Sequence, residues 1–231
     1  MSERTTYFPL FGGPREWAPN DWTASDDHVR GGSSHSILTC CPDSSIASFH
    51  GNLDVTTLGG AGFASQRTTG QQRLWDLSNY DGLELAVNHA DGKLYTITLK
   101  NEILPKRPDG REQSTLSWEY DFRSKTPQTI LIRWDDFKPT YRGKKVRDTK
   151  PLDPGNVKRV SIMIRSFFGE QQGEFSLEIV SLAGFRIEHY LDDPEKADSV
   201  SLALDGKTGN APETRKHWGV LAWLGQCFGS R

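Results

Sequence analysis

The chain has 231 residues, 28 Lys+Arg against 30 Asp+Glu, a formal charge of -2 and 35% hydrophobic residues. That length carries one large domain or two small ones, and with glycine counted the apolar share is that of a folded globular protein, not a disordered one. Near-neutrality disfavours a dedicated duplex-binding protein, and the apolar runs fall well short of the roughly 20 residues that span a bilayer.

Residues 1–18 read as an N-terminal arm. Met1 to Gly13 lacks the long apolar segment of a secretory signal, so export is not expected. Glu3, Glu16, Pro9 and Pro14 beside Arg4 and Arg15 make a poor mitochondrial presequence. From residue 19 to 188 the dominant pattern is period-two alternation, which places apolar side chains on one face of a strand. Short candidates run from Ile46 to Leu53 and from Gly62 to Arg67. The clear sets are Leu83, Leu85 and Val87; Tyr95, Ile97 and Leu99; Leu116, Trp118, Tyr120 and Phe122. Ile130, Ile132 and Trp134 follow, then Val160, Ile162 and Ile164, then Phe175, Leu177 and Ile179. Turn signals separate them at Asn88 to Gly92, Pro105 to Gly110, Pro151 to Gly155 and Gly169 to Gly173. Many short strands without intervening helices predict about eight to ten strands in two stacked antiparallel sheets.

Residues 189–217 are polar, with Pro194, Gly206, Gly209 and Pro212, and read as a flexible linker. Residues 218–231 form an apolar C-terminal segment. Val220, Trp223, Leu224, Cys227 and Phe228 fall on one stripe of a short amphipathic helix, although Gly219, Gly225 and Gly229 oppose helix formation. The stripe docks back on the sandwich or contacts a partner or a membrane surface; spacing alone leaves both open.

Nucleotide and hydrolase motifs are absent, so no cofactor and no catalytic residue is predicted. Six scattered histidines and Cys40, Cys41 and Cys227, without CxxC spacing, predict no metal site and a reducing compartment. The pairs Asp26-Asp27 and Asp135-Asp136 read as loop acids capping backbone amides, with calcium binding or proton sharing as the alternative. Neither glycine-rich segment, Arg30 to Ser34 or Gly59 to Phe63, opens a helical pattern, which points to turns and close backbone approach. Trp22, in a polar context, is the least core-like aromatic. The stretch from Trp134 to Lys145 leaves a strand and becomes basic; it is a solvated loop or presents Tyr141, Arg142 and its lysines to an acidic partner or RNA.

Several motifs occur in an order that carries a family resemblance. Trp22 is followed by Ser25-Asp26-Asp27-His28-Val29-Arg30-Gly31-Gly32-Ser33-Ser34-His35-Ser36, then Phe49-His50-Gly51-Asn52-Leu53 and Gly60-Ala61-Gly62-Phe63-Ala64-Ser65-Gln66-Arg67. Phe137-Lys138-Pro139-Thr140-Tyr141-Arg142-Gly143 and Gly173-Glu174-Phe175-Ser176-Leu177-Glu178-Ile179 complete the series. Together they resemble the complex I intermediate-associated protein family of assembly factors. The resemblance implies a galactose-binding-like antiparallel jelly-roll β-sandwich over residues 19–188, without catalysis. It further implies a chaperone-like role on protein clients, intermediates of respiratory complex I, and hence a mitochondrial location; the poor presequence keeps the cytoplasm as the alternative. Under this reading the candidate partner-binding residues are Trp22, Asp26, Asp27, Arg30, Gly31, Gly32 and Ser33, with Arg67, Tyr141 and Arg142 second. Arg67, at a strand end, invites Asp26 or Asp27 as its ion-pair partner. A carbohydrate-binding module of the same sandwich fold is the alternative function.

Overall fold

Each of the six clearly alternating segments is a strand, to within a residue at its ends. The computed structural model describes residues 2–40 and 45–190, all in one compact unit. Its strands are β1 (Ser2–Gly12), β2 (Trp22–Ala24), β3 (His35–Cys40), β4 (Ala47–Leu53), β5 (Phe63–Thr68), β6 (Gly82–Ala90) and β7 (Leu94–Lys100). Then come β8 (Ser117–Arg123), β9 (Gln128–Arg133), β10 (Lys138–Tyr141), β11 (Lys144–Lys145), β12 (Arg159–Arg165) and β13 (Gly173–Tyr190). One sheet runs β3-β4-β13-β6-β9 with β1 also on β13, the other β11-β10-β8-β7-β12-β5-β2, and every pairing is antiparallel. The result is an antiparallel jelly-roll β-sandwich.

The apolar face of each sheet turns inward. Ile162 sits between Gln66 and Ile97, and Ile164 between Ala64 and Tyr95, in the seven-stranded sheet; Phe49, Leu85, Leu177 and Ile179 answer from the other. The two layers meet in aromatic contacts, Phe49 to Tyr95 at 6.3 Å and Phe11 to Trp22 at 4.8 Å between ring centroids.

The N-terminus differs from the expected arm. Ser2–Gly12 pairs with Ser181 to Tyr190 of β13 and buries Leu10 and Phe11 completely. The register slips between Pro9 and Phe11, so two consecutive apolar residues face inward and the period of two that marks a strand is broken. β13 likewise runs past the expected end of its alternation; β4 and then β1 line one of its edges and β6 the other. Residues 191–231, with the expected linker and the stripe Val220, Trp223, Leu224, Cys227 and Phe228, lie outside the described residues, as does Cys41.

On the outward face of the seven-stranded sheet, the rows are polar yet largely buried. Arg67, Ser161, Thr98 and Glu119 are successive cross-strand partners on β5, β12, β7 and β8. Thr98, Glu119 and Ser161 are all buried, as is Arg159 one pleat away. Buried charge must be paired, and here Arg165 bonds Glu119 and Asp121 while Arg159 bonds Glu112.

Candidate functional site

Two buried carboxylates shape the entrance to the site. Asp26 accepts from the Ser36 amide at 3.0 Å, the Ser36 hydroxyl at 2.7 Å and the Ser65 amide at 2.7 Å. Asp27 accepts from the Ser34 amide at 3.1 Å, the Ser34 hydroxyl at 2.7 Å and the Phe63 amide at 3.1 Å. Each acid therefore ties β3, or the residue just ahead of it, to β5, and together they fix the intervening turn. Gly31 closes that turn at φ 82°, a left-handed conformation that favours glycine. Gly32 is required for space, since a Cβ there would fall on the Asp27 carboxylate. The turn displays Arg30 over the Phe63 ring, 5.5 Å from its centroid.

That turn forms one wall of a cleft of about 830 Å³. Arg67 of β5 lies in it, the 106–114 stretch of the β7–β8 connection faces it, and Arg142 of the β10–β11 hairpin closes it. Arg142 and Gly143 both have positive φ, 51° and 74°, as a tight two-residue hairpin demands. The Arg142 guanidinium lies 5.5 Å from the Tyr141 ring centroid and donates from Nε to the Ser114 hydroxyl at 3.2 Å, which joins hairpin to connection. Arg30, Arg67, Lys106, Arg107, Arg111 and Arg142 thus share one cleft with two carboxylates, Asp26 and Glu112.

Neither carboxylate is open to a partner on equal terms. Asp26 is spent on its amides. Glu112 bonds Arg159 at 2.6 Å and pairs with Arg67 at 3.0 Å. Burial raises the Glu112 carboxyl, but the bond from Arg159 and the charges of Arg67, Arg159 and Lys100 outweigh it and hold the group below its ordinary range. Burial, opposed by Glu112 and assisted by Arg159, lowers Arg67. Burial and the Arg159 charge also lower Lys100, whose ammonium donates to the Thr115 hydroxyl at 3.0 Å.

Carboxylates held low in the fold make its stability fall in acid. Side-chain bonds from Thr56 and Thr57 bring Asp54 down from 3.8 to about 2, and Glu112 is depressed as described. The folded chain then binds fewer protons than the unfolded one, so stability is full above the unfolded carboxyl range and is lost as pH falls. Denaturant titrations should show stability declining as pH drops from about 3.8 towards about 2; a flat profile over that interval contradicts the assignment.

Of the residues marked in the sequence, Asp26, Arg30, Arg67 and Arg142 reach the cleft. Asp27 is fully buried, Gly31 and Gly32 serve the turn, and exposed Ser33 accepts a bond from the Thr57 hydroxyl at 3.1 Å. Tyr141 is half exposed beside Arg142. Trp22 is not in a polar loop: it is 6% exposed on the inner face of β2, among Phe11 and Trp17. Arg67 takes Glu112 as partner in place of Asp26 or Asp27, because both aspartates turn inward to amides. The sequence reading missed Lys106, Arg107, Arg111, Glu112 and Ser114, although Lys106-Arg107 and Arg111 bracket the turn it placed at Pro105 to Gly110. Among the described residues, no group of three or more His, Cys, Asp or Glu is placed to hold a metal ion.

A family model described as Complex I intermediate-associated protein 30 (CIA30) matches residues 10–179. The chain belongs to this family. It is also 45% identical over 179 residues to an uncharacterized protein of Schizosaccharomyces pombe, an alignment covering 75% of this chain and 81% of that one. Similar solved structures include the family 11 carbohydrate-binding module of a Clostridium thermocellum cellulase, at 12% identity, TM-score 0.46 and coverage of 76% and 95%. The agarase AgWH50C is another, at 11% identity, TM-score 0.46 and coverage of 80% of this chain and 25% of that one. In this CIA30 chain the two aspartates and paired glycines of the opening motif build the turn that holds Arg30, and Arg67 ends the motif that begins at Gly60. Tyr141-Arg142-Gly143 supplies the hairpin that closes the cleft.

Proposed function

We propose that this CIA30 chain is a non-catalytic, chaperone-like protein-binding factor that acts on assembly intermediates of respiratory complex I in mitochondria, and that it holds its clients at the cationic cleft. One observation carries the placement: Asp26, Arg30, Arg67 and Arg142, from three distant motifs, converge on a single cleft. A rigid sandwich that presents loops around such a cleft is suited to recognition. Among the described residues the lining contains no Trp, Tyr or Phe, the flat faces on which sugar rings rest, which favours a protein client over a sugar there. The test is localisation of the tagged full chain with mass spectrometry of what co-purifies. A mitochondrial signal with complex I subunits enriched is the expected result; a cytoplasmic signal without them overturns the proposal.

A further inference from the structure

The cleft has a charge pattern that specifies its ligand. Six cationic side chains share it with Asp26, already saturated, and Glu112, already divided between two arginines. Lys106 and Arg107 form no ion pair among the described residues, and Arg111 has only an exposed contact with Asp109 at 3.9 Å. Arg67 belongs to the same lining, and its guanidinium, which shares Glu112 with the buried Arg159 behind it, is 19% exposed. Guanidinium and ammonium groups only donate, so the uncommitted cations of the lining call for an acceptor, and their summed charge calls for an anionic one. Arginine's planar fork matches carboxylate and phosphate geometry alike.

We propose that the cleft binds an acidic polypeptide segment, an extended Asp/Glu-rich stretch of the client, whose carboxylates bridge the rim of Lys106, Arg107 and Arg111 to Arg67 on the floor. This rests on the protein-binding reading above. The cleft is the size of a small-ligand pocket, so it admits a few side chains, not a folded domain. A single-stranded nucleic acid is the competing polyanion, but such strands are held by bases stacked on aromatic rings, and among the described residues the lining has none. Arg142, held by Ser114 and Tyr141, and Arg30, held over Phe63, are fixed before the ligand arrives, which limits the entropy lost on binding.

The experiment uses the full chain and fluorescently labelled short peptides, oligoglutamate and oligoglutamine, with a single-stranded oligoribonucleotide as the third probe. Oligoglutamate should bind, with affinity falling as salt rises. The double variant Arg107→Glu/Arg111→Glu should weaken it roughly tenfold or more. Both side chains are exposed on a loop, so the variant should melt like the parent. Oligoglutamate binding no tighter than oligoglutamine, tighter binding of the oligoribonucleotide, or a charge-reversed variant that binds like the parent overturns the inference. Client recovery is read separately. A chain that recovers complex I subunits but ignores oligoglutamate overturns the acidic-segment inference alone, while oligoglutamate binding with no subunits recovered overturns the assembly role alone.

Discussion

Asp27→Ala should lower the unfolding free energy by about 3 kcal/mol, because it leaves the buried Ser34 amide and hydroxyl and the part-buried Phe63 amide without their acceptor. For a domain of this size the melting temperature should fall by roughly 6 to 12 °C. Gly32→Ala should cost a similar amount by a different route, since the added Cβ falls on the same carboxylate. The two losses are coupled: with Asp27 shortened to alanine the obstacle to a Cβ at position 32 is gone. The double variant should therefore lose clearly less than the sum of the single ones. Denaturant unfolding of the four proteins measures this, and strictly additive losses would show that the turn is not held by the contact described.

The second large effect concerns Glu112. Glu112→Ala strands Arg159, which is almost wholly buried, and Arg67 beside it, and should cost about 3 to 5 kcal/mol. Adding Arg159→Met should restore most of that stability, because an apolar chain of similar length needs no counter-charge. A Glu112→Ala protein as stable as the parent, or one not rescued by Arg159→Met, would place the pairing of Arg159 elsewhere. The rescued protein is also informative about the cleft, since Arg67 then stands without its internal carboxylate and is freer to take one from a ligand.

The sandwich was legible because alternation survives wherever a strand is regular. Val160, Ile162 and Ile164, or Phe175, Leu177 and Ile179, point inward just as their spacing requires. β1 was illegible because its register slips where Leu10 and Phe11 enter the core. Trp22 was misplaced for a related reason: its neighbours in sequence, Asp21 and Thr23, are polar, and its apolar surroundings come from Phe11 and Trp17. At the site, the motifs pointed to Asp26, Arg30, Arg67 and Arg142, but not to what each does. Composition cannot say that an aspartate faces amides instead of solvent. Glu112 carries no local signal at all, because its role arises from a connection folding over two strands distant in sequence.

The first strand makes cleavage near its residues costly to the fold. Residues 2–12 close one edge of β13 and supply Leu10 and Phe11 to the interior. Clipping them off would uncover a row of unpaired backbone donors and acceptors next to a hole in the packing. Cleavage within that stretch would therefore remove a strand and two core side chains from the sandwich.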